Sequence, residues 1–197
     1  MRSDKTSFQS LKLQVLCVVV AVLVCAQTGL AREFKGVNFP DEVKIGQDVC
    51  KLMGIGIRKK FFITVYYGAL YLLQPTTDRS QVIDSDQPKE VLIHVIYKEI
   101  SADKWVEGWK EGFESNTPSP NPELQKKIDQ FLNCFNESVK SGQSVKISYL
   151  PGTGTDITIN GKQKAVITGH EFMAALWSIW FGKHPASDSL MNGMLGK

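Results

Sequence analysis

Leu52-Met-Gly-Ile-Gly-Ile-Arg58-Lys-Lys-Phe-Phe-Ile-Thr-Val-Tyr-Tyr-Gly-Ala-Leu-Tyr-Leu72 reads as two extended segments meeting at a basic tip. In the first, Met53, Ile55 and Ile57 alternate with Gly54, Gly56 and Arg58, the period-2 pattern of a strand. The second, from Phe61 to Leu73, is rich in aromatic and β-branched residues that suit a pleated, packed surface. This pairing predicts that the apolar face of the first strand packs under helices. The glycine face is expected to leave an open slot beside Arg58, whose guanidinium offers a forked donor to a small acidic or enolate-bearing ligand. On the second strand Thr64, Tyr66 and Gly68 are expected to share a face, again polar groups beside a gap. The other reading is a solvated face with Arg58, Lys59 and Lys60 as a basic hairpin tip.

Outward from this pair, a loop with Pro75 and Asp78 ends the second strand, and Val91 to Tyr97 reads as a third. Helices follow. Ser101 is the expected N-cap of one with Trp105, Trp109 and Phe113 on a single stripe. Asn121 and Pro122 open a second, which the apolar spacing carries through Phe135 and Val139 to Gly142. Strands return at Val145 to Tyr149, Asp156 to Ile159 and Gln163 to Ile167. The last two are joined at Asn160-Gly161, whose residues accept the positive φ angles of a tight hairpin. Thr168 with Glu171 has the spacing of a capping box for a helix bearing Phe172, Leu176, Ile179 and Trp180, closed at Gly182, and Ser187 starts a short last helix. Trp177 and Trp180 are either core or an interface patch. Two blocks of strands interrupted and followed by helices predict an α+β fold, a large antiparallel sheet with helices packed on one face.

The N-terminus has a different character. Arg2, Lys5 and Lys12 precede an unbroken apolar run from Val15 to Ala26, and Thr28, Gly29 and Ala31 follow. A bilayer-spanning helix needs about 20 apolar residues, so this shorter run reads as a signal peptide over residues 1–31. Cleavage is expected after Ala31, with Ala26 as the alternative. The protein is then periplasmic or secreted, without a stable membrane anchor, and residues 32–197 form one domain. Removing the leader takes three basic residues and one acidic residue from totals of 23 and 20, leaving a nearly neutral domain. That balance gives no reason to expect a nucleic-acid partner. Cys50 and Cys134 remain in a compartment that permits a disulfide, and their spacing does not decide whether they join.

Motifs for known chemistries are scarce. His94, His170 and His184 are widely separated and no Cys-x-x-Cys occurs, so no metal site is expected. The loop Pro151-Gly-Thr-Gly-Thr155 lacks the lysine and spacing of a phosphate loop and sits between strands. No nucleotide cofactor is expected, and no nucleophile–base set stands out.

The run Gly36-Val-Asn-Phe-Pro40, the Leu52–Leu72 stretch and the C-terminal Leu176-Trp-Ser-Ile-Trp-Phe-Gly-Lys-His-Pro185, ending in Met194-Leu-Gly196, resemble the chalcone isomerase-like family in its bacterial exported branch. The resemblance implies an open-faced β-sandwich with a ligand cleft between sheet and helices. It also implies that Arg58 corresponds to the arginine that holds a substrate oxyanion in the plant enzymes. Their active-site threonine falls at Tyr66, and a helical tyrosine and asparagine fall at Trp105 and Gly112. These departures favour the family's non-catalytic fatty-acid-binding members, in which an arginine and a tyrosine grip a carboxylate. The implied ligand is a small amphipathic acid or a phenolic compound, held by Arg58 and Tyr66 with Thr64 nearby, Tyr71 as the fallback partner and Trp105 lining the cleft. The alternative is a chalcone isomerase, or a related intramolecular lyase acting on an enone.

Overall fold

The computed structural model describes residues 31–197; the segment read as a signal peptide over 1–31 lies, except for Ala31, outside the described residues. The described residues begin with a hairpin of β1 (Ala31–Phe34) and β2 (Val37–Pro40). A seven-stranded antiparallel sheet follows, made of β3 (Glu42–Ile45), β4 (Asp48–Lys60), β5 (Ile63–Leu72), β6 (Lys89–Val95), β9 (Ser144–Leu150), β10 (Gly154–Ile159) and β11 (Lys162–Ile167). Its spatial order is β11-β10-β9-β6-β5-β4-β3. A small ribbon pairs β7 (Glu99–Ile100) with β8 (Val139–Lys140). The helices are α1 (Arg79–Asp84), α2 (Ala102–Asn116), α3 (Pro122–Leu132), α4 (His170–Phe181) and α5 (Asp188–Met194). The fold is α+β, an open-faced sandwich whose curled sheet carries its helices on one side.

The central strands of the sheet divide their side chains between two apolar layers. Tyr66, Leu70 and Leu72 of β5 join Val91, Ile93 and the helices in the larger one. Tyr67, Ala69 and Tyr71 point the other way, into a smaller layer with Cys50, Ile55 and Phe39 of the β1–β2 hairpin. Phe34 meets Tyr67 edge-on at 5.2 Å. Cys50 and Cys134 belong to different layers with the sheet between them, and both are free thiols.

The two faces of β4 are used in the opposite sense to the sequence expectation. Ile55 and Ile57 pack away from the helices, whereas Gly54 and Gly56 receive α5. A Cβ on Gly56 would stand 1.9 Å from the Leu190 carbonyl oxygen, and one on Gly54 would stand 2.3 Å from that of Gly193. The glycines are therefore a floor on which helix backbone lies against strand backbone, which no side chain permits. Ser187 caps α5 by accepting from Leu190 N, as its position predicts.

Several local signals elsewhere hold with adjusted boundaries, although Ser101 stands before α2 without a side-chain cap hydrogen bond. Asn160 and Gly161 take φ of 48° and 75° in the β10–β11 turn. Asn121 caps α3 through Leu124 N, with Pro122 at its start. That helix stops at Leu132 rather than Gly142, because Asn133, Cys134 and Phe135 are weak helix formers. Cys134 and Phe135 instead close tight turns onto the Phe131 and Leu132 carbonyls. The segment read as its continuation supplies β8. The box proposed at Thr168 does not form: α4 is entered through Gly169 at φ 105°, and Glu171 accepts from the Asn121 amide at 3.0 Å. Trp177 and Trp180 are core, with 0% and 1% exposure.

One charge lies fully inside the helical layer. Lys89 is 0% exposed, its Nζ donating to the Val82 and Ile83 carbonyls near the end of α1 and lying 5.7 Å from the Trp177 ring centroid. Burial lowers its pKa from 10.5 to about 8, against the pull of Asp84 and Asp86. A lysine lowered in the folded state costs stability below about pH 8, and the cost is relieved as pH rises towards 10.5, where the unfolded chain also loses the proton. Relative to Lys89→Met, the wild type is therefore predicted to gain stability from pH 8 to 10.5, at most about 1.4 kcal/mol per pH unit. Denaturant melts across that range measure the difference, in which the tyrosine and cysteine titrations cancel; a flat difference contradicts it. For the glycine floor, Gly56→Ala is predicted to lose about 2 kcal/mol or more. Gly108→Ala, on the open face of α2 with nothing within 4 Å of the new Cβ, gains up to about 1 kcal/mol by helix propensity. Thermal melts that rank the two alike would contradict the floor.

Candidate functional site

Arg58 is the next residue on the glycine face of β4, just beyond the start of α5. It sits in register with Tyr66 of β5. There the sheet emerges from under the helices, and a cleft of about 830 Å³ opens between β4–β5, α2 and α4. Trp105 and Trp109 form one wall, Ile179 and Trp180 another, and Ala186, just before α5, closes one side.

The register of the hairpin decides which β5 residues reach the cleft. Arg58 pairs with Tyr66, but Lys59 pairs with Thr64, so Val65 is an extra residue in a bulge. Its carbonyl accepts from both Ile96 N and Tyr97 N, at 3.0 Å each. A bulge offsets the alternation of side chains. Ile63, Val65 and Tyr66 thus line the cleft, and Thr64 does not. Tyr71 is further from the role proposed for it. It lies in the layer on the opposite face of the sheet, fully buried across the strand pair from Glu90, and cannot share a ligand with Arg58. Of the five expected residues, the structure gathers Arg58, Tyr66 and Trp105.

The chemistry of these groups is that of hydrogen-bond donation. Among the described residues, the Arg58 guanidinium makes one hydrogen bond, from Nη1 to the Lys59 carbonyl at 3.2 Å, and no ion pair. A guanidinium has five N–H donors, so most of its capacity is unspent. Burial raises the Tyr66 pKa, opposed by the Arg58 charge and the Trp180 indole, so the phenol stays protonated and able to donate. Tyr66 stacks on Trp105 at 6.0 Å and Trp105 on Trp109 at 5.8 Å, each pair inclined by 19°. Both indole N–H groups are buried without a partner. The carboxylates that line the cleft, Glu99, Glu107 and Glu111, are exposed at its rim. Among the described residues no cluster of three or more His, Cys, Asp or Glu is arranged to hold a metal ion.

Gly112 of α2, where the resemblance places an asparagine, has no room for a side chain. A Cβ there would lie 2.6 Å from Ile179 Cγ2, because α2 and α4 pack together at that point. The space a polar side chain would occupy belongs to the helix contact. Sequence reasoning missed Val65, because a bulge leaves no periodic signal. It also missed the part played by Trp180, whose stripe marks it as core without revealing that its edge reaches the cleft.

A protein-family model described as chalcone isomerase-like matches residues 31–196. No curated protein sequence matches the chain. Among solved structures, a fatty-acid binding protein of Arabidopsis thaliana superposes with a TM-score of 0.67. The two are 15% identical, over 84% of this chain and 96% of that one, a likeness of fold. With the family model spanning essentially every described residue, the chain belongs to the chalcone isomerase-like family.

Proposed function

We propose that this chain is an exported binding module that holds a small amphipathic acid, such as a fatty acid, with its carboxylate on Arg58 and Tyr66. The observation that carries this reading is the donor set at the cleft floor. A guanidinium without an ion pair and a protonated phenol line a space whose walls are aromatic and aliphatic and whose rim carries lysines and carboxylates. A charged fork at one end of an apolar slot suits a carboxylate with a hydrocarbon tail. The volume, about 830 Å³, is within the ordinary range for small-molecule sites. The fatty-acid-binding activity named for the Arabidopsis structure agrees with this assignment.

An isomerase reading has less support. It rests on Arg58, while Trp105 and Gly112 stand where the resemblance implies a tyrosine and an asparagine. Each oriented donor is worth several kcal/mol of transition-state stabilisation in such a site.

Titration with a long-chain fatty acid tests the assignment. Arg58→Ala is predicted to weaken binding by 1.5–3 kcal/mol, about 10- to 150-fold, and Tyr66→Phe by about 2- to 10-fold. Binding unchanged in both variants would remove the proposed site. An absorbance assay with a hydroxychalcone is predicted to show only the spontaneous rate; an acceleration lost in Arg58→Ala would favour the lyase. For the compartment, N-terminal sequencing of protein from an osmotic-shock fraction is predicted to begin at Arg32, and full-length protein confined to the cytosol would contradict export.

A further inference from the structure

Phe61 and Phe62 form the two-residue turn between β4 and β5, with Lys60 paired to Ile63 across it. Their side chains are 88% and 90% exposed, and Ile63 beside them is 44% exposed. Neither phenylalanine joins either apolar layer. Phe61 also takes φ of 56°, at a turn position that hairpins ordinarily give to glycine. A bulky aromatic there is disfavoured twice, by its backbone and by its exposed surface. Phe61 borders the cleft mouth, but neither ring adds to the packing of the domain, so the exposed pair is shaped for something outside it.

The charge around the rings indicates what that is. Arg58, Lys59 and Lys60 lead directly into them, none in an ion pair among the described residues. No acidic residue occurs from position 49 to 77. Lys104 across the cleft is tied to Glu107, and the remaining acids there, Glu99 and Glu111, lie on other elements. Adjacent exposed aromatics flanked by lysines suit a bilayer surface. The rings enter the boundary between headgroups and acyl chains while the ammonium groups reach up to lipid phosphates.

We propose that the β4–β5 tip docks on a lipid bilayer bearing anionic headgroups, with Phe61 and Phe62 inserted and Lys59 and Lys60 on the phosphates. The docking stands on the exposed tip alone. Its consequence also draws on the ligand reading: Phe61 and Ile63 line the cleft, so a docked domain turns the cleft mouth towards the lipid, from which a single-chain acid can enter.

Hydrogen exchange of the exported form, residues 32–197, tests this at the tip itself. Vesicles of phosphatidylglycerol and phosphatidylcholine in equal parts are expected to slow exchange at residues 59–64, and vesicles of phosphatidylcholine alone are not. Phe61→Ser with Phe62→Ser is expected to lose that protection, as is Lys59→Gln with Lys60→Gln. Circular dichroism reports whether each variant is folded. Phe61→Gly supplies the check against a structural role: it is expected to raise the thermal midpoint while losing protection, whereas a structural residue would lower it. Exchange unchanged by anionic vesicles overturns the proposal, as does equal protection by neutral vesicles or in the serine double variant. Protection that grows with protein concentration in the absence of vesicles also overturns it, and assigns the tip to contact between copies. Fatty-acid titration in the absence of vesicles reads the Arg58 site separately, so either proposal can fail alone.

Discussion

Backbone of α5 lies against backbone of β4, and the placement of the helical layer follows from that contact. Gly54 and Gly56 on the strand and Gly193 on the helix leave no side chain between them, and a Cβ at any of the three would meet backbone atoms at 2.5 Å or less. Such an approach fixes both the face on which the helices sit and the direction in which α5 runs. The helix begins at Asp188, and Ser189 Oγ donates to the Ile57 carbonyl, so the sheet is covered up to Ile57 and uncovered at Arg58. The cleft is thus a boundary effect, the point where a tightly seated helix ends before the strand does.

That origin explains the chemistry of the cleft. Its floor receives whatever β4 and β5 present beyond the covered region, which is a guanidinium and, across the strand pair, a phenol. Its walls are the aromatic stripe of α2 and the edge of α4, both selected first for packing. Trp105 and Trp109 meet Phe131, Phe135 and Trp180 within 6 Å while also lining the cleft. Arg58, Tyr66 and the two indoles place N–H and O–H groups inside, and the carboxylates remain at the rim. Arg58 and Tyr66 on that floor are the donors that the proposed acid would use.

Period-2 alternation was enough to place Arg58, Gly54 and Gly56 on one face and to pair β4 with β5, because alternation is a property of the strand itself. Which of the two faces helices would cover was not legible. Apolar Ile55 and Ile57 looked like the buried side, yet the reverse face has its own cover in the β1–β2 hairpin, and glycine leaves no hydropathy signal for a backbone-to-backbone contact. Thr64 and Tyr71 were misplaced for related reasons. The bulge at Val65 offsets the register by one residue, and strand parity alone puts Tyr71 on the far side of the sheet from Tyr66. Short-range signals fared best where one residue satisfies one backbone group, as at Asn121 and Ser187. Thr168 failed because Gly169, with positive φ, takes the chain into α4 by another route.

The central claim is that the floor of the cleft holds an acid through Arg58. Native mass spectrometry of the protein as purified tests it most directly. The account predicts a complex whose added mass is that of one single-chain acid, present in the wild type and lost in Arg58→Ala. A protein that is free of ligand, and that remains so after a fatty acid is added in excess, would contradict it.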